Sequence, residues 1–428
     1  MRSILPARSS IPRRAIATAI CAVLLSACAV SAQQRAAPAQ HPQMRRALDA
    51  IREFNEWTLQ QQIELTEIEA PPFKEARRGE EFKRRLEALG LRNVRIDSEG
   101  NVIGERPGTG NGPTVMISGH LDTVFPEGTN VKVTRTGTRL AAPGISDDGR
   151  GLAVVLAVAR AFRDANIQTP GRILFVGTVG EEGPGNLRGV RHLFGKGSPG
   201  KVDHFISVDG TGFGITNAGV GSHRYRITYK GPGGHSYGAF GMPNPIHALG
   251  RAMAMIGDIE VPAQPRTTFN VGLVSGGTSV NSISANGTMD VDLRSESQAE
   301  LDKIDQQLRR AVQQALVAEN ARWPRSDVKL SVQIDTIGIR PAGALADTAM
   351  IVRTAMAAGR ALGLSPQTGA SSTDANIPIS LGISAITMDG GGQSSGAHAL
   401  DEWYDDTANG YAGPQWAALV VAMLAGLK

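Results

Sequence analysis

Short apolar runs alternate with longer amphipathic segments along the first half of the chain. Apolar runs bounded by turn residues are typical of buried strands, and apolar positions three and four residues apart are typical of helices. The predicted strands are residues 101–104, 114–118, 172–179 and 205–208, and the predicted helices are residues 44–68, 80–89 and 149–162. Strands that alternate with helices predict an α/β fold with a mostly parallel sheet and helices on both faces.

The pattern changes near Ser222 and returns to its first form after Ile334. In this middle segment the predicted strands are residues 223–230, 267–274, 287–294 and 328–334, and the predicted helices are residues 243–256 and 299–317. Such an order predicts an α+β sandwich with antiparallel strands. Helices at residues 346–361 and 407–427 and an apolar run at residues 383–388 then follow. We therefore predict an α/β domain of residues 44–221 and 335–428, with a separate domain inserted at residues 222–334.

The first 32 residues have the composition of an export signal. Four arginines precede an apolar run at residues 15–30, which ends in small residues. This order is typical of a secretory signal peptide, and residues 33–43 then form a polar linker. Leu-Ser-Ala-Cys at residues 25–28 also matches a bacterial lipobox, so Cys28 is a candidate site for a lipid anchor. We expect a protein that is secreted or faces the periplasm, either lipidated or simply cleaved.

The charge and the cysteine content exclude some partners and some reactive groups. The four arginines of the export signal account for the whole formal charge of +4, so the remainder is near neutral and nucleic acid is not an expected partner. Both cysteines, Cys21 and Cys28, also lie in that signal. The rest of the chain has no thiolate nucleophile and no cysteine ligand, so any metal site must use histidine and carboxylates.

Imidazole and carboxylate groups recur where the predicted strands end. These residues are His120, Asp122, Asp147, Asp148, Glu181, Glu182, Asp209 and His398. Each short motif alone also fits a helix cap or a polar turn. As a set, at the carboxyl ends of strands where α/β proteins bind ligands, they suit two zinc ions, with cobalt or manganese as alternatives. Two close metals need a bridging carboxylate and can activate a water as a nucleophile.

The series resembles the M20 metallopeptidase family, which includes carboxypeptidase G-type enzymes, acetylornithine and succinyl-diaminopimelate deacylases, and tripeptide aminopeptidases. The matching stretches, in the family's order, are residues 119–123, 144–149, 180–183, 208–209 and 396–402. The resemblance implies that the α/β domain is catalytic and binds metal. It also implies that the inserted domain is a lid that makes homodimers.

The resemblance also implies the metal ligands. His120 and Asp209 would hold one metal, Glu182 and His398 would hold the other, and Asp147 would bridge the two. The peptide bond between Asp147 and the next aspartate is expected to be cis. We therefore expect a pair of zinc ions bound by imidazole and carboxylate groups alone.

Further roles follow from the same resemblance. Asp122 would orient His120, and Glu181 would take a proton from the attacking water and return it to the leaving nitrogen. The expected substrate-binding residues are His235, which would act from the partner subunit, Asn281, Arg294 and Thr373. An arginine at position 294 could clamp a carboxylate with two parallel hydrogen bonds. A surface strand residue and a helix cap are the alternatives for Arg294 and Thr373, respectively.

The expected reaction is hydrolysis of an amide bond in a small peptide or an N-acyl amino acid. The stretch at residues 181–194 is similar to the tripeptide aminopeptidase branch, but Leu121 replaces that branch's usual threonine, so a carboxypeptidase or deacylase stays open. The alternative is an exported metal-binding or peptide-binding protein without catalysis, which the intact Glu181 argues against. Ser394 in a Gly-x-Ser-x-Gly pattern suggests a serine hydrolase, but His398 follows too closely for a nucleophile elbow.

Overall fold

The computed structural model describes residues 38–407 and 409–427. The predicted export signal and residues 33–37 of the predicted linker lie outside these residues. Within the described ranges, no helix combines the length and the apolar character needed to cross a membrane.

The chain before Gly221 contributes helices and strands in alternation. Its helices are α1 (Pro42–Glu53), α2 (Asn55–Thr66), α3 (Ala76–Ala88), α4 (Gly149–Asp164) and α5 (Arg188–Leu193), with a 3-10 turn at Gly183–Gly185. Its strands are β1 (Arg92–Ile96), β2 (Val102–Arg106), β3 (Val115–His120), β4 (Thr134–Thr136), β5 (Arg139–Ala141), β6 (Ile173–Thr178), β7 (His204–Val208) and β8 (Gly214–Gly219).

The middle and last parts of the chain complete the fold. The middle part contains β9 (Gly221–Lys230), β10 (Gly234–His235), α6 (Pro245–Gly257), β11 (Thr267–Gly276), β12 (Ser282–Ile283), β13 (Asn286–Ser295), α7 (Gln298–Arg322) and β14 (Ser331–Arg340). The last part contains β15 (Gly343–Ala344), α8 (Met350–Ala361), β16 (Gln367–Ser371), α9 (Asn376–Ser380), β17 (Ser384–Met388), β18 (Gln393–Ser395), β19 (Trp403–Asp405) and α10 (Ala412–Leu424).

A nine-stranded sheet forms the centre of the molecule. Its order is β1-β2-β6-β3-β7-β17-β8-β15, and β16 pairs with β8. The four central strands, β6, β3, β7 and β17, run parallel to one another. Strands β1, β2, β8 and β15 pair in antiparallel fashion, so the sheet is mixed rather than mostly parallel. Helices cover both faces, as predicted: α4 and α10 pack beside Val115 and Ile117 of β3, and α5 and α9 pack beside Met116.

The middle part of the chain has its own sheet and its own core. Four antiparallel strands lie in the order β11-β13-β9-β14. Helices α6 and α7 cover one face of this sheet, where Tyr225, Ile227 and Leu293 are buried. Strand β14 continues to Arg340 and so passes the predicted end of the inserted domain at Ile334. The boundaries of that domain and its action as a lid or dimer interface stay predictions.

Several elements differ from their predicted bounds. The predicted helix at residues 44–68 is two helices that meet at Phe54, where the backbone leaves helical geometry. The predicted last helix begins at Ala412 rather than at Thr407. Short elements such as β1, α5 and α9 were not predicted, because they are too brief to show a periodic apolar pattern.

Glycines let the central strands approach α4 closely. A Cβ atom at Gly151 in the first turn of α4 would lie 2.2 Å from the carbonyl oxygen of Val208, which ends β7, and 2.2 Å from a carboxylate oxygen of Asp148. That carboxylate caps the helix by accepting a hydrogen bond from the Gly151 amide at 2.8 Å. The helix start is therefore packed directly against the strand ends.

We predict that Gly151→Ala destabilises the protein. The new methyl group has no space, and overpacking of this kind lowers the free energy of unfolding by about 1–3 kcal/mol. Chemical denaturation of the purified protein measures the change. Gly250→Ala is the matched control, because Gly250 lies inside α6 with no atom within 4 Å of an added Cβ. The control should leave stability unchanged or raise it by up to about 1 kcal/mol; equal stability of both variants would contradict the packing argument.

Candidate metal centre

Three neighbouring strands bring the candidate ligands together. Strand β3 ends at His120, β6 ends shortly before Glu182, and β7 ends immediately before Asp209. These strands are parallel neighbours in the sheet, so their carboxyl ends share one edge. Asp147 comes from the turn before α4, and His398 comes from the loop between β18 and β19.

The Asp147 carboxylate lies between two imidazoles. Its Oδ1 is 2.9 Å from His120 Nε2, and its Oδ2 is 3.0 Å from His398 Nε2. His398 Nε2 is also 3.0 Å from Glu182 Oε1. Ligand atoms of His120, Asp147 and Asp209 lie within 4.8 Å of one another, as do those of Asp147, Glu182 and His398. The five predicted ligands thus form two overlapping groups that share Asp147, as a bridged metal pair requires.

The surroundings of His120 indicate whether a cation fits at this site. His120 Nδ1 lies 3.1 Å from the carbonyl oxygen of Asp122, so both ring nitrogens face oxygen acceptors. A neutral imidazole carries only one N–H, so the second nitrogen needs either an extra proton or a metal ion. Burial lowers the pKa of His120, but the nearby carboxylates of Asp122 and Asp147 outweigh burial and raise that pKa well above its ordinary value. A metal cation bound at Nε2 would take the place of the extra proton beside the Asp147 oxygen, and Nδ1 would keep its N–H for the Asp122 carbonyl oxygen.

The environment of the carboxylates also favours bound cations. Burial, followed by the charge of Asp147, raises the pKa of Asp209 to about 7. Burial also raises the pKa of Glu181 well above its ordinary value, although the Arg340 guanidinium opposes the shift. Several buried acids therefore face one another with too little positive charge, and imidazole and carboxylate donors suit divalent transition metals. The residues present fit a pair of such ions.

Asp122 has more contacts than predicted. Its backbone carbonyl faces the His120 imidazole, whereas its carboxylate oxygen is 3.7 Å from Nδ1. The carboxylate accepts hydrogen bonds from the amides of Glu181, at 3.1 Å, and Glu182, at 2.8 Å. Asp122 therefore positions the loop that carries both glutamates as well as the histidine.

Glu402 is a positioning residue to which the sequence assigned no role. Its buried carboxylate accepts hydrogen bonds from the amides of Gly144 at 2.7 Å, Ser146 at 2.8 Å and Asp147 at 3.1 Å. The Ser146 hydroxyl donates to it as well. The Asp147–Asp148 peptide bond is cis, as the family resemblance implies. Glu402 follows His398 in the chain and thereby ties the two ligand-bearing loops together.

Arg340, at the end of β14, was also missed. Its Nη1 donates to Glu181 Oε1 at 3.1 Å, and its Nη2 donates to the Glu181 carbonyl oxygen. The side chains of Arg340 and Glu181 are both buried. Both side chains line a cavity of about 420 Å³. The same cavity is lined by four of the candidate ligands and two further arginines: Asp147, Glu182, Asp209, His398, Arg224 and Arg294. Of the predicted substrate residues, Arg294 alone lines this cavity.

The other predicted substrate residues lie elsewhere. His235 and Asn281 are exposed and adjoin each other, since the Ser236 amide donates to the Asn281 carbonyl oxygen at 2.9 Å. Thr373 is buried, and its hydroxyl pairs with that of Thr387 at 2.6 Å and accepts a hydrogen bond from the Ala375 amide at 3.2 Å. The N-cap residue of α9 is Ala375, without a side-chain capping hydrogen bond, so Thr373 does not cap this helix. Contact of these three residues with substrate stays a prediction. Ser394 pairs with Thr211 at 2.7 Å, which gives it no activating histidine among the described residues.

A model of peptidase family M20/M25/M40 matches residues 116–421, a span that includes every candidate metal ligand. The chain belongs to this family. Among the relatives of this M20 hydrolase, a succinyl-diaminopimelate desuccinylase from Aromatoleum aromaticum is 29% identical over 220 residues, which cover 46% of this chain and 56% of that enzyme. The match therefore spans little more than half of that relative.

Solved structures share the fold of this M20 hydrolase. A tripeptidase from Staphylococcus aureus superposes with a TM-score of 0.71 at 19% identity, covering 86% of this chain and 98% of that one. A dinuclear metal-binding M20 peptidase from Bacillus subtilis gives a TM-score of 0.65 at 17% identity, covering 88% of this chain and 100% of that one. At such identities the likeness shows the fold alone. The resemblance to the family is confirmed, whereas the identity of the metal and the roles of the site residues stay predictions.

We predict that Glu402→Gln weakens zinc binding roughly 10- to 100-fold, which is the usual cost of losing a group that orients ligands. The amide can no longer accept the hydrogen bonds of Gly144, Ser146 and Asp147 with a charged group. Competition with a chromophoric chelator measures the affinity. Asp401→Asn is the control, because Asp401 is the exposed neighbour in the same loop. Affinity within about twofold of wild type in Glu402→Gln would remove the assigned role.

Proposed function

We propose that this protein is a two-metal hydrolase that cleaves the amide bond of a small peptide or an N-acyl amino acid. The observation that carries the proposal is the position of Glu181. This carboxylate is buried, lies beside the candidate ligands and is held by Arg340 in a cavity of about 420 Å³. Cavities of this size accept small ligands and bury most of their surface.

The proposed ligands are those that lie together. His120 and Asp209 would hold one ion, Glu182 and His398 the other, and Asp147 both. Zinc is the proposed metal, and cobalt or manganese suits the same donors. Two such ions, when bound, supply positive charge that polarises a carbonyl oxygen and lowers the pKa of water.

Glu181 is the proposed proton carrier. Its Oε1 is held by Arg340, and its Oε2 accepts no hydrogen bond from the described residues. Burial is the main cause that raises the pKa of Glu181, so the carboxylate can take a proton from water and later release it to the leaving nitrogen. The two amides that donate to Asp122 fix the backbone of Glu181 and Glu182 during this exchange.

We predict that Glu181→Gln keeps its zinc but loses turnover, with kcat reduced roughly 10²- to 10⁴-fold. The measurements are product formation on dipeptides, tripeptides and N-acyl amino acids, and metal content by mass spectrometry. Chelation should abolish activity in the wild-type protein, and added zinc should restore it.

Ser394→Ala is the control for the same assay, because its hydroxyl contacts Thr211 rather than a candidate ligand. It should retain wild-type activity. Turnover that is unaffected by Glu181→Gln would contradict the proposed proton carrier, and turnover lost in Ser394→Ala would favour a serine hydrolase. A wild-type protein that binds these compounds without releasing products would be the non-catalytic binding protein.

We also propose export and a homodimer. The basic, apolar and small residues at positions 1–32 support export, and Cys28 is the candidate lipid site. The exposed position of His235 and Asn281, outside the cavity of their own chain, supports their use by a second copy joined through the inserted domain at residues 222–334.

We predict that protein recovered from a bacterial host lacks about 30 amino-terminal residues, as signal cleavage requires. Intact mass spectrometry gives the mature terminus, and an added lipid mass on Cys28 distinguishes the lipoprotein from simple cleavage. Native mass spectrometry of the same sample should show the dimer. An uncut terminus would contradict export, and a monomer at micromolar concentration would contradict the assembly.

A further inference from the structure

Arg78, in the first turn of α3, is a fully buried arginine that reaches the backbone beyond β3. Its guanidinium donates to three backbone carbonyl oxygens, those of Leu121 at 2.8 Å, Ile68 at 2.9 Å and Thr66 at 3.3 Å. A guanidinium has five N–H donors in a rigid planar fork, so one side chain can hold several carbonyl groups in a fixed arrangement. Arg78 therefore ties the chain that follows β3 to the end of α2.

The Leu121 backbone is held on both sides. Strand β3 ends at His120, so the carbonyl of the completely buried Leu121 lies beyond the strand. A buried carbonyl without a hydrogen bond is costly, and Arg78 supplies that bond. The Leu121 amide donates to the Thr178 carbonyl oxygen at 2.7 Å. The two peptide units that join Leu121 to His120 and to Asp122 are therefore both fixed.

The residues on either side of Leu121 belong to the candidate site. His120 is a candidate metal ligand. The Asp122 carboxylate accepts hydrogen bonds from the amides of Glu181 and Glu182. A change in the Leu121 backbone would therefore displace a metal ligand and the loop of the proposed proton carrier together. A misplacement of about 1 Å in such a site can lower the rate roughly 100-fold.

Arg78 also stabilises the end of a helix. The last carbonyl groups of a helix lack partners within it, and positive charge beside them is favourable. Thr66 ends α2, and Arg78 donates to its carbonyl oxygen. Burial lowers the pKa of Arg78 to about 10, although the charges of Asp122 and Asp148 oppose the shift, so the side chain is positively charged at neutral pH. Stabilisation of α2 alone needs no contact with the chain beyond β3.

Arg85 gives a matched comparison, because it also joins α3 to α2. It lies about two helical turns beyond Arg78, on the same side of α3, and is buried. Its guanidinium donates at 2.8 Å to each of three side chains, those of Glu81, Gln61 and Glu64. The latter two residues lie on α2. Of the two arginines, only Arg78 also reaches the backbone beside His120 and Asp122.

We propose that Arg78 is a positioning residue, which holds the backbone between His120 and Asp122 in the arrangement that metal binding and proton transfer require. The inference rests on the proposed hydrolase and gives a role in it to a side chain that does not line the cavity. Arg78 acts through the Leu121 carbonyl group. Its loss should therefore weaken zinc binding and slow turnover, and it should leave the affinity for substrate nearly unchanged.

The test compares Arg78→Met with Arg85→Met in the full chain. Methionine keeps an unbranched apolar side chain and removes the guanidinium donors. Arg78→Met should bind zinc roughly 10- to 100-fold more weakly than wild type, measured by competition with a chromophoric chelator. At saturating zinc its kcat on small peptides or N-acyl amino acids should fall roughly 10- to 100-fold, with KM within about threefold of wild type.

Arg85→Met controls for the loss of a buried arginine between α2 and α3. It should lower stability in chemical denaturation, as Arg78→Met does, because its former carboxylate partners lose their cation. Its zinc affinity and kcat should stay within about twofold of wild type. Arg78→Lys, which restores the positive charge and one donor group, should bind zinc with an affinity between those of wild type and Arg78→Met.

Equal zinc affinities and equal kcat values in Arg78→Met and Arg85→Met would overturn the positioning role. A loss confined to KM would overturn it as well. If Arg78→Met does not fold, Arg78→Lys and Arg85→Lys decide by the same two measurements. Lysine lacks the planar fork that holds three carbonyl groups, so the weaker zinc binding and slower turnover are expected in Arg78→Lys.

Failure of the proposed function gives a separate result. If the wild-type protein binds zinc and hydrolyses none of the compounds, the hydrolase is contradicted, and zinc affinity alone decides the role of Arg78. Weaker binding in Arg78→Met than in Arg85→Met would support the positioning of His120 in a non-catalytic metal-binding protein. Equal binding in the two variants would overturn it.

Discussion

The structure of the site depends on one carboxylate between two imidazoles. Asp147 presents one oxygen to His120 and the other to His398, at 2.9 and 3.0 Å. His120 is buried and Asp147 is half-buried, and polar groups removed from water are costly unless they are paired, so the contact between these two groups needs an extra proton or a cation. Surrounding hydrogen bonds keep this arrangement in place. The Glu402 carboxylate accepts a hydrogen bond from the Asp147 amide, and the Asp122 carboxylate accepts hydrogen bonds from the amides of Glu181 and Glu182.

The arginines that line the cavity differ in the carboxylates with which they pair. Arg340 is paired with Glu181, which offsets the burial of that carboxylate and fixes one of its oxygens. Arg224 and Arg294 share the single carboxylate of Asp292. The α/β part of the chain thus supplies the candidate metal ligands, and the middle sheet supplies the arginines.

Much of the fold and of the candidate ligand set could be predicted from the sequence. Buried strands such as β3 and β6 are continuous apolar runs, and polar ligand residues follow them at once, so both signals are local. Short strands and helices without such runs were missed, and the antiparallel pairing of β1, β2 and β8 made the sheet mixed. Pairing direction depends on where distant strands meet, which no local pattern records.

The sequence by itself determined the family, the α/β class and the five residues that could ligate metal, because spaced motifs and apolar periodicity are properties of short segments. Only the tertiary structure decided that Glu402 holds the Asp147 turn, that Arg340 binds Glu181, and that Asp292 joins Arg224 to Arg294. The first two contacts join residues more than 150 positions apart, and the third requires β9 to pair with β13 in one register. An arginine on an exposed strand face has the same local sequence pattern whether it faces solvent, as Arg226 does, or a cavity, as Arg224 does.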